Sequence, residues 1–238
     1  MTTQPNGATD LAIGILALVA ILGLSFLPQM WIRSVIRRHA SDRPDFPGTG
    51  AEFARHLLDR LKLEYVGVEK TDTGDHYDPE SRTVRLSAEN HDGRSLSAVV
   101  IAAHEVGHAM QDAEGYAPLK ARTRMAKQAH RLQQIGVVLM MAAPLLVILA
   151  KSPVILILEL GGAVIILSIT IIMHLTTLPV EFDASFRRAL PLLKAGGFIP
   201  ERDMPAARSI LRAAAFTYVA AAAMTLLDVM RWMRVLRF

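Results

Sequence analysis

At 238 residues the chain is long enough for one ordinary soluble domain, but an apolar share of 52% and a mean hydropathy of +0.31 point to long stretches that water does not accept. Its 26 Lys and Arg against 22 Asp and Glu leave a net charge of +4, a mild excess that gives no reason to invoke nucleic acid. The absence of cysteine excludes disulfide staples, thiol catalysis and thiolate metal sites, and leaves imidazole and carboxylate as the strong metal ligands.

After a short tail (1–10), residues 11–32 carry no charged side chain and, at about 1.5 Å per residue, can cross a hydrocarbon layer of roughly 30 Å. Only Asp10 precedes this block closely, whereas Arg33, Arg37 and Arg38 follow it, an order that predicts a retained anchor with its N-terminus outside. Residues 33–134 are polar enough for a globular lobe, which opens on a flexible linker, 41–50. Phe53, Leu57, Leu58 and Leu61 recur at helical spacing and predict a helix over 51–62. Alternating stretches at 65–69 and 83–87, separated by the turn-rich 72–81, predict a hairpin or small sheet. A helix over 95–112 follows the breaker Gly93 and ends before Gly115 and Pro118.

Two further apolar blocks, 135–150 and 154–178, joined by Lys151, Ser152 and Pro153, predict a transmembrane hairpin with its turn outside. Arg131 before it and Arg187 and Arg188 after it anchor the open ends inside. Residues 179–212 supply another helix and a cytoplasmic loop. The last segment, 213–238, contains an Ala-rich block at 213–227; crossing would place Arg231, Arg234 and Arg237 outside, against the positive-inside rule, so an interfacial or re-entrant helix is its rival.

On the 95–112 helix stands His104-Glu105-Val106-Gly107-His108, a match to H-E-x-x-H. Residues four apart share a helix face, so both imidazoles can reach one zinc ion, while Glu105 can take a proton from the water that completes the tetrahedron. That chemistry is peptide-bond hydrolysis with Glu105 as general base.

The stretches Asp75-His-Tyr-Asp-Pro79, Arg85-Leu-Ser87, Ala102-Ala-His-Glu-Val-Gly-His-Ala109, Tyr116-Ala-Pro-Leu119 and Leu178-Pro-Val-Glu-Phe-Asp-Ala-Ser185 together resemble the YugP-like membrane zinc metallopeptidases of bacteria. The resemblance covers most of the chain, and that family looks like a relative of the HtpX and prenyl-protein protease group. It implies one Zn²⁺ per chain, held in gluzincin fashion by His104, His108 and Glu181, with Asp183 the rival third ligand. An even number of crossings between His108 and Glu181 returns the chain to the side it left, as such a site requires.

The fold class expected is a mainly α membrane protein, a helical transmembrane bundle with a small α+β zincin-like catalytic lobe. His76 and Tyr77 are candidates for an oxyanion donor or substrate contact, with a structured turn as the plain reading, and 82–87 is a candidate edge for pairing with an extended substrate. Asp183, Ser185 and Arg187 are candidates to support the ligands from behind, Asp183 pairing with Arg187 four residues on. His174 is weighed as a further metal neighbour against an interfacial histidine. The functional expectation is a multi-pass protease of the bacterial inner membrane, acting at the cytoplasmic face on protein or peptide substrates; lipid is a partner and oligomers stay open. The alternative is a catalytically idle membrane adaptor or assembly factor with a structural metal. Transport is disfavoured because the apolar segments hold almost no ionisable groups.

Overall fold

A computed structural model describes residues 7–150 and 154–235; Lys151, Ser152 and Pro153, where the sequence predicts a turn, the first six residues and Arg237 lie outside them. Helix α1 (Gly7–Arg38) leads into α2 (Gly50–Arg60), then strands β1 (Gly67–Thr71), β2 (His76–Asp78) and β3 (Thr83–Ser87). Helices α3 (Ala88–Asp92), α4 (Leu96–Ala113), α5 (Ala117–Ala150) and α6 (Val154–Phe182) come next. A π-helical segment (Asp183–Ala189) continues α6 into α7 (Leu190–Ala195), and α8 (Met204–Val235) closes the chain.

The helix starts have local causes. Thr49 and Glu52 form a capping box, the Thr49 N–H donating to Glu52 Oε2 at 2.8 Å and the Glu52 N–H to Thr49 Oγ1 at 3.3 Å. Ser95 caps α4 by accepting from the Ala98 N–H at 3.1 Å. At the other end of α4, Gly115 takes a left-handed φ of 70°, with its N–H on Asp112 O.

The expected flexible linker is instead pinned to the lobe. Phe46 is buried in the core, the Arg43 N–H donates to Arg94 O at 2.7 Å, and the Gly50 N–H donates to Gly93 O at 3.0 Å. The Arg43 guanidinium also joins Asp45 to the distant Asp203, at 2.6 and 2.8 Å. Polar and Pro/Gly-rich composition suggested mobility, but one buried aromatic and a guanidinium with two carboxylates outweigh it.

The sheet has the order β1-β3-β2, with β1 parallel and β2 antiparallel to β3. Strand β3 is therefore central, paired with β1 along its whole length and with β2 over 83–85, so most of 82–87 is already engaged and is not a free edge for an extended substrate. Val84 and Leu86 of β3 pack with Leu57 and Leu58 of α2, Val100 and Val106 of α4, Leu193 of α7 and Ile210 and Leu211 of α8 in one core.

Helix α4 lies at the middle of this core, every residue from Leu96 to Ala109 being buried. A helix buried on all sides needs an apolar circumference, which 98–103 provides. Helices α5 and α6 pack on each other, α6 also against α8, and α1 against α8. Among the described residues one helical run, Val164–Ala195, is long and apolar enough to cross a membrane on length and composition. The other expected spans, 11–32, 135–150 and 213–227, are helical, though many of their side chains lie outside the described residues.

Pro179 does not start a helix, as a break after 178 would require. It lies inside α6, which continues through Glu181.

Candidate metal centre

His104 and His108 project from one face of α4, their rings edge to face with centroids 4.8 Å apart. Glu181, near the end of α6, reaches across to both: its Oε2 lies 3.2 Å from His104 Nε2 and 3.5 Å from His108 Nε2. One ligand atom from each residue falls within 4.8 Å of the others, and all three residues are buried.

The backbone of α4 can come this close because Gly107 has no side chain. A Cβ there would meet Ala184 O of the π-helical segment at 2.8 Å. The segment itself alters the register of the residues after Glu181. In a π-helix the hydrogen-bonded neighbours are five residues apart, so Asp183 faces Arg188, not Arg187. Arg188 Nε donates to Asp183 Oδ2 at 2.7 Å, and its Nη2 reaches Glu114 Oε2 at 2.8 Å. The expected Asp183–Arg187 pair rests on α-helical spacing and is replaced by this one; Arg187 is exposed.

Hydrogen bonds behind the histidines set which nitrogen faces the cluster. Ser185 Oγ lies 3.1 Å from His104 Nδ1 and 3.4 Å from Leu211 O, which can only accept. The hydroxyl proton goes to that carbonyl, so Oγ accepts from His104 Nδ1–H and Nε2 keeps its lone pair. Among the histidines and Glu181, Ser185 thus stands behind His104. Behind His108, Gln111 Oε1 lies 2.9 Å from Nδ1.

Glu105 is buried beside the cluster, and burial pushes its carboxyl up to about 7, with the nearby Glu181 charge adding to the rise and His104 opposing it. Arg122, on α5, places Nη1 3.6 Å from the other Glu181 oxygen, Oε1.

Tyr77 is buried, and its hydroxyl donates to Asp112 Oδ2 at 2.9 Å; desolvation, together with that hydrogen bond, pushes its pKa well above the ordinary phenol value and makes it a weaker acid. His76 Nδ1 lies 2.8 Å from Gly74 O. Asp75 ties the same loop to the lobe, accepting from Ser87 N–H and Oγ–H at 2.7 and 3.0 Å and from Asn90 Nδ2 at 2.8 Å. Neither His76 nor Tyr77 joins the metal-type cluster, nor do Asp183 and His174.

Sequence reasoning missed Gln111, Arg122 and Arg188. Gln111 carried a signal, three residues beyond His108 on the same helix face. The two arginines carried none, since their partners lie on other elements or at a spacing peculiar to the π-helix.

The family model described as "Putative neutral zinc metallopeptidase" matches residues 14–237. The chain belongs to this family. It is 36% identical over 219 residues to "Putative membrane protease YugP" of Bacillus subtilis (strain 168), across 91% of this chain and 93% of that protein. No solved structure matches the chain.

Family membership implies zinc, and the donors fit it. Two imidazoles and one carboxylate, buried and within 4.8 Å of one another, could hold a metal ion, and such donors suit zinc.

Proposed function

We propose that this protein is a membrane-embedded, zinc-dependent endopeptidase of the gluzincin type, with His104, His108 and Glu181 holding one zinc ion and Glu105 acting as general base. The observation that carries the reading is the buried convergence of His104 Nε2, His108 Nε2 and the Glu181 carboxylate, with Glu105 one residue from His104.

Zinc bound there supplies Lewis acidity toward a peptide carbonyl and lowers the pKa of water. The chain does the rest. Ser185 and Gln111 hold the two imidazoles in the tautomer that directs Nε2 inward. Glu105 takes the proton of the attacking water on its carboxylate and delivers it to the leaving amine. Arg122 balances part of the Glu181 charge. Burial of His104, Glu105, His108 and Glu181 keeps bulk water from them and so strengthens each of these interactions.

A membrane setting is supported by the apolar side chains that helices present outward: Leu16, Phe26 and Met30 on α1, Val138 and Met141 on α5, and Ile165 and Ile172 on α6 are all exposed. We place the protein in the bacterial cell membrane, with the lobe on the cytoplasmic side, where Arg33, Arg37, Arg38 and Arg131 flank the apolar segments. Glu181 is preferred to Asp183 as the third ligand because Asp183 is engaged with Arg188 and Gln111.

The test needs no known substrate at its first step. Zinc per chain is measured on detergent-purified wild type, Glu105→Gln, Glu181→Ala and Asp183→Ala, followed by cleavage of unfolded protein substrates. About one zinc is expected in wild type and Glu105→Gln, with loss in Glu181→Ala and loss of cleavage in Glu105→Gln. Zinc loss in Asp183→Ala with retention in Glu181→Ala would move the third ligand. A folded wild type without zinc, or cleavage unchanged in Glu105→Gln, overturns the peptidase.

A further inference from the structure

Gln111 is fully buried, and each of its polar atoms has a partner. Its Nε2 lies 2.9 Å from Val180 O and 2.8 Å from Asp183 Oδ2, while its Oε1 lies 2.9 Å from His108 Nδ1. A peptide carbonyl and a carboxylate only accept hydrogen bonds, so the amide nitrogen must face them and the amide oxygen must face His108. That oxygen has no proton to give. His108 Nδ1 therefore carries the hydrogen and Nε2 presents its lone pair toward Glu181.

The same side chain grips the chain on both sides of Glu181, at Val180 and at Asp183. Asp183 is in turn held by Arg188, which also reaches Glu114. A charged pair thus fixes the amide, and the amide fixes one imidazole and the backbone bearing the carboxylate.

We propose that Gln111 is a positioning residue of the metal centre, which sets the His108 tautomer and, through Val180 and Asp183, the approach of the Glu181-bearing helix to α4. The inference rests on the zinc reading above. It assigns Gln111 no contact with substrate. Its effect is on how well three ligands, brought from two elements, are aligned before an ion arrives.

The experiment uses the full chain in detergent and Zn²⁺ alone as the probe. Zinc dissociation constants are measured by chelator competition for wild type, Gln111→Met, which keeps the buried volume but has no amide, and Gln111→Glu, which keeps an acceptor opposite His108. The expected result is zinc binding about 10 to 100 times weaker in Gln111→Met, and weaker also in Gln111→Glu, whose carboxylate gives Val180 O and Asp183 Oδ2 no donor. Thermal unfolding of the zinc-free proteins reports any purely structural role, which would move that curve and leave the zinc constant alone.

A second measurement does not depend on a variant folding. In zinc-loaded wild type labelled with ¹⁵N-histidine, the His108 ring should show a protonated Nδ1 and a metal-bound Nε2. Coordination through Nδ1, or an unchanged zinc constant in Gln111→Met, overturns the proposal while leaving a zinc peptidase in place. A folded wild type that takes up no zinc overturns both.

Discussion

Gly107 stands between the two histidines because the chain behind it leaves no room for a side chain. An added Cβ would lie 2.8 Å from Ala184 O, a contact that forces α4 and the π-helical segment apart. Glu181 is on the chain just before that segment, so separation acts directly on the distance between carboxylate and imidazoles. Gly107→Ala is expected to destabilise the fold by about 1 to 3 kcal/mol and to lower zinc retention, read by thermal unfolding and metal analysis. Wild-type stability and zinc content in this variant would show that the two elements can yield without harm. The H-E-x-x-H letters were legible in the sequence because two histidines four apart on a helix need no partner to share a face. The need for glycine at 107 was not, since the atom it avoids is 77 residues away.

At the scale of elements, one local interaction and one between widely separated stretches can each be tested. Ser95 starts α4 by capping it, and Ser95→Ala is expected to cost about 1 kcal/mol in thermal or denaturant unfolding. Because Ser95 touches neither histidine, zinc content should stay at the wild-type level. Arg43 fastens the linker to the start of α8 through Asp45 and Asp203. Its guanidinium, hydrogen-bonded to Asp45, holds that carboxyl down at about 2, from an ordinary 3.8. A depressed carboxyl contributes stability that is present above the ordinary value and is lost as pH falls through the folded one, here between about pH 4 and pH 2. In Arg43→Ala the Asp45 carboxyl should return to titrating near 3.8, followed by carbon NMR of the side chain. Titration still near 2 would mean that something other than Arg43 holds it.

Element boundaries show the same division between local and distant causes. The start of α2 at Thr49 and the stop of α4 at Gly115 follow from capping chemistry written in consecutive residues. The central place of β3 does not, because strand order depends on which edges meet, and β2 lies inside the turn-rich 72–81, where no alternating pattern announces a strand. The π-helical turn was equally hidden. It shows itself only when Asp183 finds Arg188 and Ser185 finds His104, and an α-helical reading of the same letters pairs Asp183 with Arg187.

For the whole molecule the decisive expectation is sidedness. The natural chain has no cysteine, so single cysteines can be introduced without background. A cysteine in place of Ser152, in the turn that the sequence predicts for the 135–178 hairpin, should react with an impermeant thiol reagent from outside intact cells. One in place of the exposed Asp72 in the lobe should react only after the membrane is opened. Labelling of both from the same side would remove the cytoplasmic assignment while leaving the metal centre untouched.

The sequence by itself determined the apolar segments, the caps and stops of the main helices, and the paired histidines with their glutamate, all of which depend on neighbours within a few turns. The tertiary structure decided what meets them. It set Glu181 against both imidazoles, Gln111 and Ser185 behind them, Arg122 beside the carboxylate, and the linker against the lobe. Most of those choices rest on burial and on contacts between residues distant in the chain, 69 positions apart from Gln111 to Val180 and 160 from Arg43 to Asp203. Such contacts gain their strength only when packing removes water from around them, and no periodicity along the chain records that.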